Sequence, residues 1–115
     1  MSARRRSAVR ATRLDHASVF AALGDETRLA LVTRLAGGQP RSISELTKDS
    51  RLTRQAITKH LRVLESVGVV RGVRQGRENL FQFDPRPIEG AKQYLELVSE
   101  QWDEALDRLR AFVEE

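Results

Sequence analysis

The sequence predicts a mainly α-helical domain carrying a small β-hairpin, on three observations. Apolar residues recur at helical spacing in short stretches between Leu14 and Val67, punctuated by Gly, Pro and capping side chains. After Gly68 the pattern changes to Val- and Phe-rich runs flanking Gln75-Gly76-Arg77-Glu78. From Pro85 a single apolar stripe at heptad spacing continues almost to the end. The chain has 115 residues, 40% hydrophobic and 5% aromatic, which is the size of one domain with enough apolar content for a core.

The elements follow in order. Residues 1–13 show no helical apolar pattern and read as a disordered basic arm. From Leu14, residues Ala17, Phe20, Ala21 and Leu23 predict a short helix ended by Gly24. Asp25 is placed to cap a second helix bearing Leu29, Leu31, Val32 and Leu35, which Gly37-Gly38 and Pro40 close. Arg41 to Ser44 is a brief extended piece, with Ser44 expected to cap a third helix through Lys48. Asp49-Ser50-Arg51 makes a tight connection to a fourth helix, capped by Thr53 and stopped by Gly68. Two short helices across a tight turn outline a helix-turn-helix. Val69 to Arg74 and Asn79 to Asp84 form the hairpin, an arginine-tipped wing. Pro85 and Pro87 lead into the last helix. The expected architecture is therefore a winged helix-turn-helix of order α-α-α-α-β-β-α. Residues 14–84 form the winged domain and 85–115 a dimerisation helix.

Composition narrows the function. With no cysteine, disulfides, thiolate metal sites and cysteine nucleophiles are excluded. No run approaches the roughly 18 apolar residues of a membrane span, and Arg4-Arg5-Arg6 precedes no apolar secretory segment. A cytoplasmic protein without membrane association is expected. No P-loop, dinucleotide fingerprint or supported nucleophile–base pair is present, so an enzyme is not expected. Gly68, Gly72 and Gly76 lie in and around the hairpin and need no phosphate to explain them. No cofactor is implied.

The net charge of +4 conceals a partition. Five arginines and no acid occupy residues 1–14, and residues 41–77 carry nine basic against three acidic side chains. Residues 78–115 reverse the sign, with four basic against ten acidic. A polyanion is drawn to the middle of the chain and repelled by its tail.

The fourth helix sharpens this. Ile57, Leu61 and Leu64 fall on one face, flanked by Ala56 and Val63. Arg54, Gln55, Thr58, Lys59 and Arg62 form the opposite face, with no acid before Glu65. A solvated helix face normally mixes both signs. This one is suited to the major groove of double-stranded DNA, with Thr53 at its leading end. Arg74 and Arg77 at the wing can follow phosphates or enter a narrow minor groove, whereas Arg71 lies nearer the wing base.

In the last helix Ile88, Ala91, Leu95, Val98, Trp102, Ala105, Leu109 and Phe112 are spaced alternately three and four apart. So much apolar surface exceeds what one small helical body can cover. A homodimer is expected, with Val19 and Phe20 of the first helix joining the seam. Two reading helices about 34–36 Å apart would then match an inverted repeat.

Several stretches together resemble ArsR-type winged-helix transcriptional repressors. They are Val19 to Leu35 with Gly24-Asp25-Glu26-Thr27-Arg28, Ile43-Ser44-Glu45-Leu46, Leu52 to Glu65, Gly68-Val69-Val70 and Arg74-Gln75-Gly76-Arg77. The resemblance covers about residues 15–84. It implies a homodimeric, promoter-binding repressor with its first and last helices at the dimer interface. The tail, with Tyr94-Leu95 and Trp102-Asp103, is similar to the metal-independent branch, whose members often regulate a neighbouring gene for a small lipid- or ligand-binding protein. Metal-sensing relatives use cysteine pairs on the reading head or histidines and carboxylates on the last helix. Here there is no cysteine, and the two histidines are His16 and His60. A metal site is accordingly not expected, and His60 is expected as a wedge on the core side of the reading helix. An effector that releases the DNA, a small molecule or a protein partner, is left open by the sequence, as is constitutive repression. The alternative reading is a winged-helix protein-interaction module, which the acid-free face from Arg54 to Arg62 disfavours.

Overall fold

The computed structural model describes residues 16–48 and 50–114, so the arm expected over 1–13 lies outside the described residues. Helix α1 runs through residues 16–23. It is followed by α2 (Glu26–Leu35), β1 (Arg41–Ser42), α3 (Ile43–Lys48), α4 (Arg54–Ser66), β2 (Val70–Gln75), β3 (Glu78–Phe83) and α5 (Arg86–Glu114). This is the winged helix-turn-helix order, enlarged by one strand. The brief extended piece expected before α3 is β1, which pairs antiparallel with β3 at Arg41↔Phe81 and Ser42↔Leu80. The wing is therefore one side of a three-stranded sheet of order β1-β3-β2. Pairing gives the backbone groups of Arg41 and Ser42 partners on what would otherwise be a bare edge.

Local chemistry sets the helix ends. The Asp25 carboxylate accepts from the Arg28 amide at 3.0 Å and opens α2, and the Thr53 hydroxyl accepts from the Ala56 amide at 3.1 Å and opens α4. The third cap differs from expectation. Ser42, not Ser44, accepts from the Glu45 amide at 3.1 Å, while the Glu45 carboxylate accepts from the Ser42 amide at 3.2 Å. This reciprocal pair is a capping box, and Ser42-Ile43-Ser44-Glu45 carries its S-x-x-E signature. Ser44 lies inside the helix and is exposed. Helix α4 ends as the sequence implies. Gly68 takes φ +79°, its amide donates to Glu65 O and the Val69 amide to Leu64 O, a Schellman closure that needs a left-handed residue.

The core is built from every helix of the winged domain. Val19 and Ala22 of α1, Leu31, Val32 and Leu35 of α2, and Leu46 of α3 pack with Ile57, Leu61 and Leu64 of α4. Val69 and Val70 join from the start of the wing, and Ala91 from the base of α5. Two residues expected on core-facing stripes turn outward: Leu29 on α2, and Val63 on α4, which is 39% exposed. The burial places the α4 stripe squarely on Ile57, Leu61 and Leu64, leaving Val63 at its margin.

Helix α5 has 29 residues, about 43 Å at 1.5 Å per residue. Only its first turns pack on the body. Ala91 is buried and Ile88 packs on the core, while Tyr94, Val98 and Ala105 are half-buried. Beyond them Leu95, Trp102, Leu106, Leu109, Phe112 and Val113 are exposed. The molecule consequently measures 67 Å along its longest axis but 39 and 22 Å along the others.

Candidate nucleic-acid interface

The α4 side chains divide cleanly. Ile57, Leu61 and Leu64 are essentially inaccessible, and that anchorage turns Arg54, Gln55, Lys59 and Arg62 outward. Thr58 is half-buried on the same outer side, its hydroxyl donating to the Arg54 carbonyl at 2.7 Å. That bond uses the hydroxyl hydrogen and leaves the oxygen lone pairs and the methyl group as the acceptor and apolar contact the side chain can offer. Thr53 is exposed at the helix entry, where capping already employs its oxygen.

The wing stands beside this face. Strands β2 and β3 pair from Val70↔Phe83 to Gln75↔Glu78, leaving Gly76-Arg77 as a two-residue turn. Gly76 takes φ +63° while Arg77 keeps a negative φ, the arrangement that a Gly-first hairpin turn requires. Arg74 and Arg77 are both exposed at this end. Arg71, toward the base, instead donates across the strands to Gln82 Oε1 at 3.2 Å. A concave surface joins helix and wing, lined by Thr58, Arg62, Glu65, Gly72 and Arg74. A Cβ at Gly72 would stand 3.3 Å from Glu65 Oε2, the movable end of an exposed side chain. A second hollow at the other end of the face brings Ser44 and Arg54 together with Asn79. Ser44 reads in the sequence as a cap, and nothing local marks it for this position.

His60 is half-buried on the inner side of α4, as expected of a wedge. Its Nδ1 stands 3.4 Å from Arg28 Nη1 and 3.8 Å from Asp25 Oδ2, contacts that spacing along the chain does not reveal. The Arg28 amide bond, with the Arg28 charge adding, holds the Asp25 carboxyl below the usual carboxylate range. His16 stacks on Tyr94 with ring centroids 5.1 Å apart, joining α1 to α5. Among the described residues no three His, Asp or Glu side chains converge as metal ligands would.

The expected dimer seam needs correction at two positions. Val19 and Ala91 are each 3% exposed and belong to the chain's own core, so neither offers surface to a second copy. Phe20 and Ile88 also pack partly against that core. The exposed part of the seam is Leu95, Trp102, Leu109 and Phe112, bordered by half-buried Val98 and Ala105. Among the described residues no helix is long and apolar enough to cross a membrane.

Comparison with known proteins agrees with this geometry. A family model for a helix-turn-helix domain matches residues 23–73, from the end of α1 into the wing. The HTH-type transcriptional regulator YuzN of Bacillus subtilis is 38% identical over 77 residues, covering 62% of this chain and 84% of that protein. An ArsR-like transcriptional regulator from Rhodococcus sp. RHA1 superposes with a TM-score of 0.80 at 36% identity, covering 89% of this chain and 95% of that one. The homodimeric winged helix-turn-helix DNA-binding domain of Mb0332 from Mycobacterium bovis shares the fold, with a TM-score of 0.61 at 24% identity over 90% of each chain. With α4, the wing and the long terminal helix in place, the chain belongs to the ArsR family of winged helix-turn-helix transcriptional regulators, DNA-binding proteins rather than enzymes.

Proposed function

We propose that the protein is a homodimeric repressor that reads an inverted-repeat operator and is not a metal sensor of the cysteine- or histidine-ligated kind. The observation that carries the reading is the exposed, acid-free face of α4. Arg54, Gln55, Lys59 and Arg62 point away from the core beside a wing tipped by Arg74 and Arg77. In this reading Gln55, Thr58 and Lys59 reach base edges in the major groove, while Thr53, Arg54 and Arg62 fix the helix on flanking phosphates. The wing arginines follow the adjacent backbone.

Dimerisation is supported by the exposed apolar length of α5, and by the homodimeric state of the Mycobacterium bovis neighbour. A second copy with its α5 against Leu95, Trp102, Leu109 and Phe112 would cover that surface and set two reading helices for one operator. Repression follows from occupancy of promoter DNA by such a dimer.

The test is a fluorescence-anisotropy titration against the DNA upstream of the protein's own gene, at two salt concentrations with scrambled competitor. Saturable binding at two protomers per site, resistant to the competitor and weakened steeply by salt, is expected. Weak binding that scrambled DNA abolishes equally well would overturn operator recognition and favour a winged-helix module for protein contacts.

A further inference from the structure

The Arg28 side chain touches two helices besides its own. Its Nε donates to the Ala22 carbonyl, and its Nη2 to the Ala21 carbonyl at 3.4 Å, both in the last turn of α1. Its Nη1 stands 3.4 Å from Nδ1 of His60 on the inner face of α4. The guanidinium cannot rotate away without breaking one of these, because Asp25 fixes the start of α2 by accepting from the Arg28 amide. The arrangement suits arginine specifically. A planar fork of five donors spans two carbonyls and a ring nitrogen at once, and an ammonium does not. The last carbonyls of α1 also carry the negative end of its dipole, which favours a cation there.

The contact also bears on a ring proton. Arginine has no lone pair to offer, so the contact is a hydrogen bond only in the His60 tautomer whose Nδ1 accepts, whereas a proton on Nδ1 would favour Asp25 Oδ2 at 3.8 Å. At its other end α1 meets α5 through the His16–Tyr94 stack. A continuous set of contacts thus leads from the base of α5 through α1 and Arg28 to His60, the neighbour in sequence of Lys59 on the reading face.

We infer that Arg28 is a positioning residue that sets the orientation of the reading helix relative to α1, acting through His60 and without touching DNA itself. The inference rests on the proposed DNA-reading role of α4. A shift of α1 against α5 would, through this tie, change how the α4 face presents itself to the groove.

The full-length protein is compared with Arg28→Met, Arg28→Lys, His60→Leu and His60→Asn. Asparagine can place an amide oxygen where Nδ1 accepts, and leucine cannot. Without DNA, long-range nitrogen–proton NMR above the titration range of the imidazole should show the Nε2–H form of His60 in the wild type. In Arg28→Met the Nδ1–H form should grow, since the nearby Asp25 carboxylate can then receive its proton. The amide resonances of Ala21 to Gly24 should move in His60→Leu and stay near wild type in His60→Asn.

On operator DNA, Arg28→Met and His60→Leu should bind roughly three- to tenfold more weakly with scrambled-duplex binding unchanged. His60→Asn should bind as the wild type, and Arg28→Lys should fall short of it. If Arg28→Met does not fold, the two His60 variants decide alone, and equal behaviour of the pair overturns the role. An unchanged tautomer in a folded Arg28→Met, or still amides at Ala21 to Gly24 in His60→Leu, overturns the tie whether or not DNA binds. A wild type that fails to select the operator refutes the DNA-reading role instead, and the positioning role with it.

Discussion

Thr58 and Lys59 sit side by side on α4, yet their chemistry toward a base differs. Lys59 is exposed and brings three donors, suited to guanine O6 and N7. Thr58 has committed its hydrogen to Arg54 O, so it presents an acceptor and a methyl group, suited to an amino group or a thymine methyl. Replacing either with alanine should cost about 1–3 kcal/mol of operator binding and relax discrimination at one base position. Equal affinity of both variants for operator, measured by anisotropy with scrambled competitor, would remove them from base readout. Asp84 is placed to contribute to acid behaviour. Asp84 accepts from the Arg86 side chain at 2.6 Å and from the Arg86 amide at 3.0 Å, and these bonds lower its pKa to about 2. A carboxylate depressed in this way contributes its stability above the ordinary value of 3.8 and loses it as pH falls toward about 2. Asp84→Asn should therefore flatten the decline of the urea midpoint between those two pH values while staying below wild type near neutrality. An unaltered acid limb would assign that sensitivity to other carboxylates. The caps at Asp25 and Thr53 are legible in the sequence because a single side chain before an apolar period is a local signal. The cap of α3 is not, although Ser42 has the S-x-x-E spacing. Ser44 also precedes an apolar run, and spacing alone does not say which serine stands outside the helix.

Helices α2 and α4 and the hairpin are readable because each buries one face and ends at a glycine or proline. Strand β1 is not, since two residues have no period and become a strand only by pairing with β3. The exposed side of α4 is readable for the same reason as its core side, one being the complement of the other. The Arg28–His60 contact joins positions 32 apart, and no local pattern encodes it. The wing gives the element whose role can be isolated most simply. Arg77 occupies the two-residue turn with its side chain exposed, so its truncation should leave the fold intact. Arg77→Ala should weaken operator and scrambled DNA alike and lower the slope of log affinity against log salt by about 0.9 for each phosphate it neutralises. A weakening confined to one sequence would mean that the arginine reads groove shape rather than charge. Gly76→Val probes the same turn differently. A Cβ there meets nothing within 4 Å, so the cost is assigned to the positive φ, about 1–2 kcal/mol or more for a β-branched residue, and should appear in stability before DNA affinity.

The described residues form a small body with a long helix projecting from it, and in the proposed dimer this shape ties stability to concentration. Trp102 is 65% exposed and Phe112 74% exposed, so neither stabilises the fold of a single chain appreciably. The heptad spacing that suggests a seam is visible in sequence. What it conceals is the division of that seam, because Ala91 at its start is consumed by the body and only the distal turns remain outward. A dimer closed by those turns is bound by mass action, so its melting temperature should rise with protein concentration. Val98→Glu combined with Trp102→Ala places a charge and a cavity at the middle of the surface, and light scattering should then report monomers. The winged domain of that variant should keep its helical circular dichroism, because its core residues lie elsewhere. Its melting temperature should no longer depend on concentration. Operator affinity should fall by far more than the same changes could produce through stability alone, since each protomer would bind a half-site without its partner's contribution to effective concentration. A dimer that survives the double substitution would move the interface off α5, most directly to the exposed residues of α1. Monomers that still bind the full operator with undiminished affinity would separate DNA reading from dimerisation altogether.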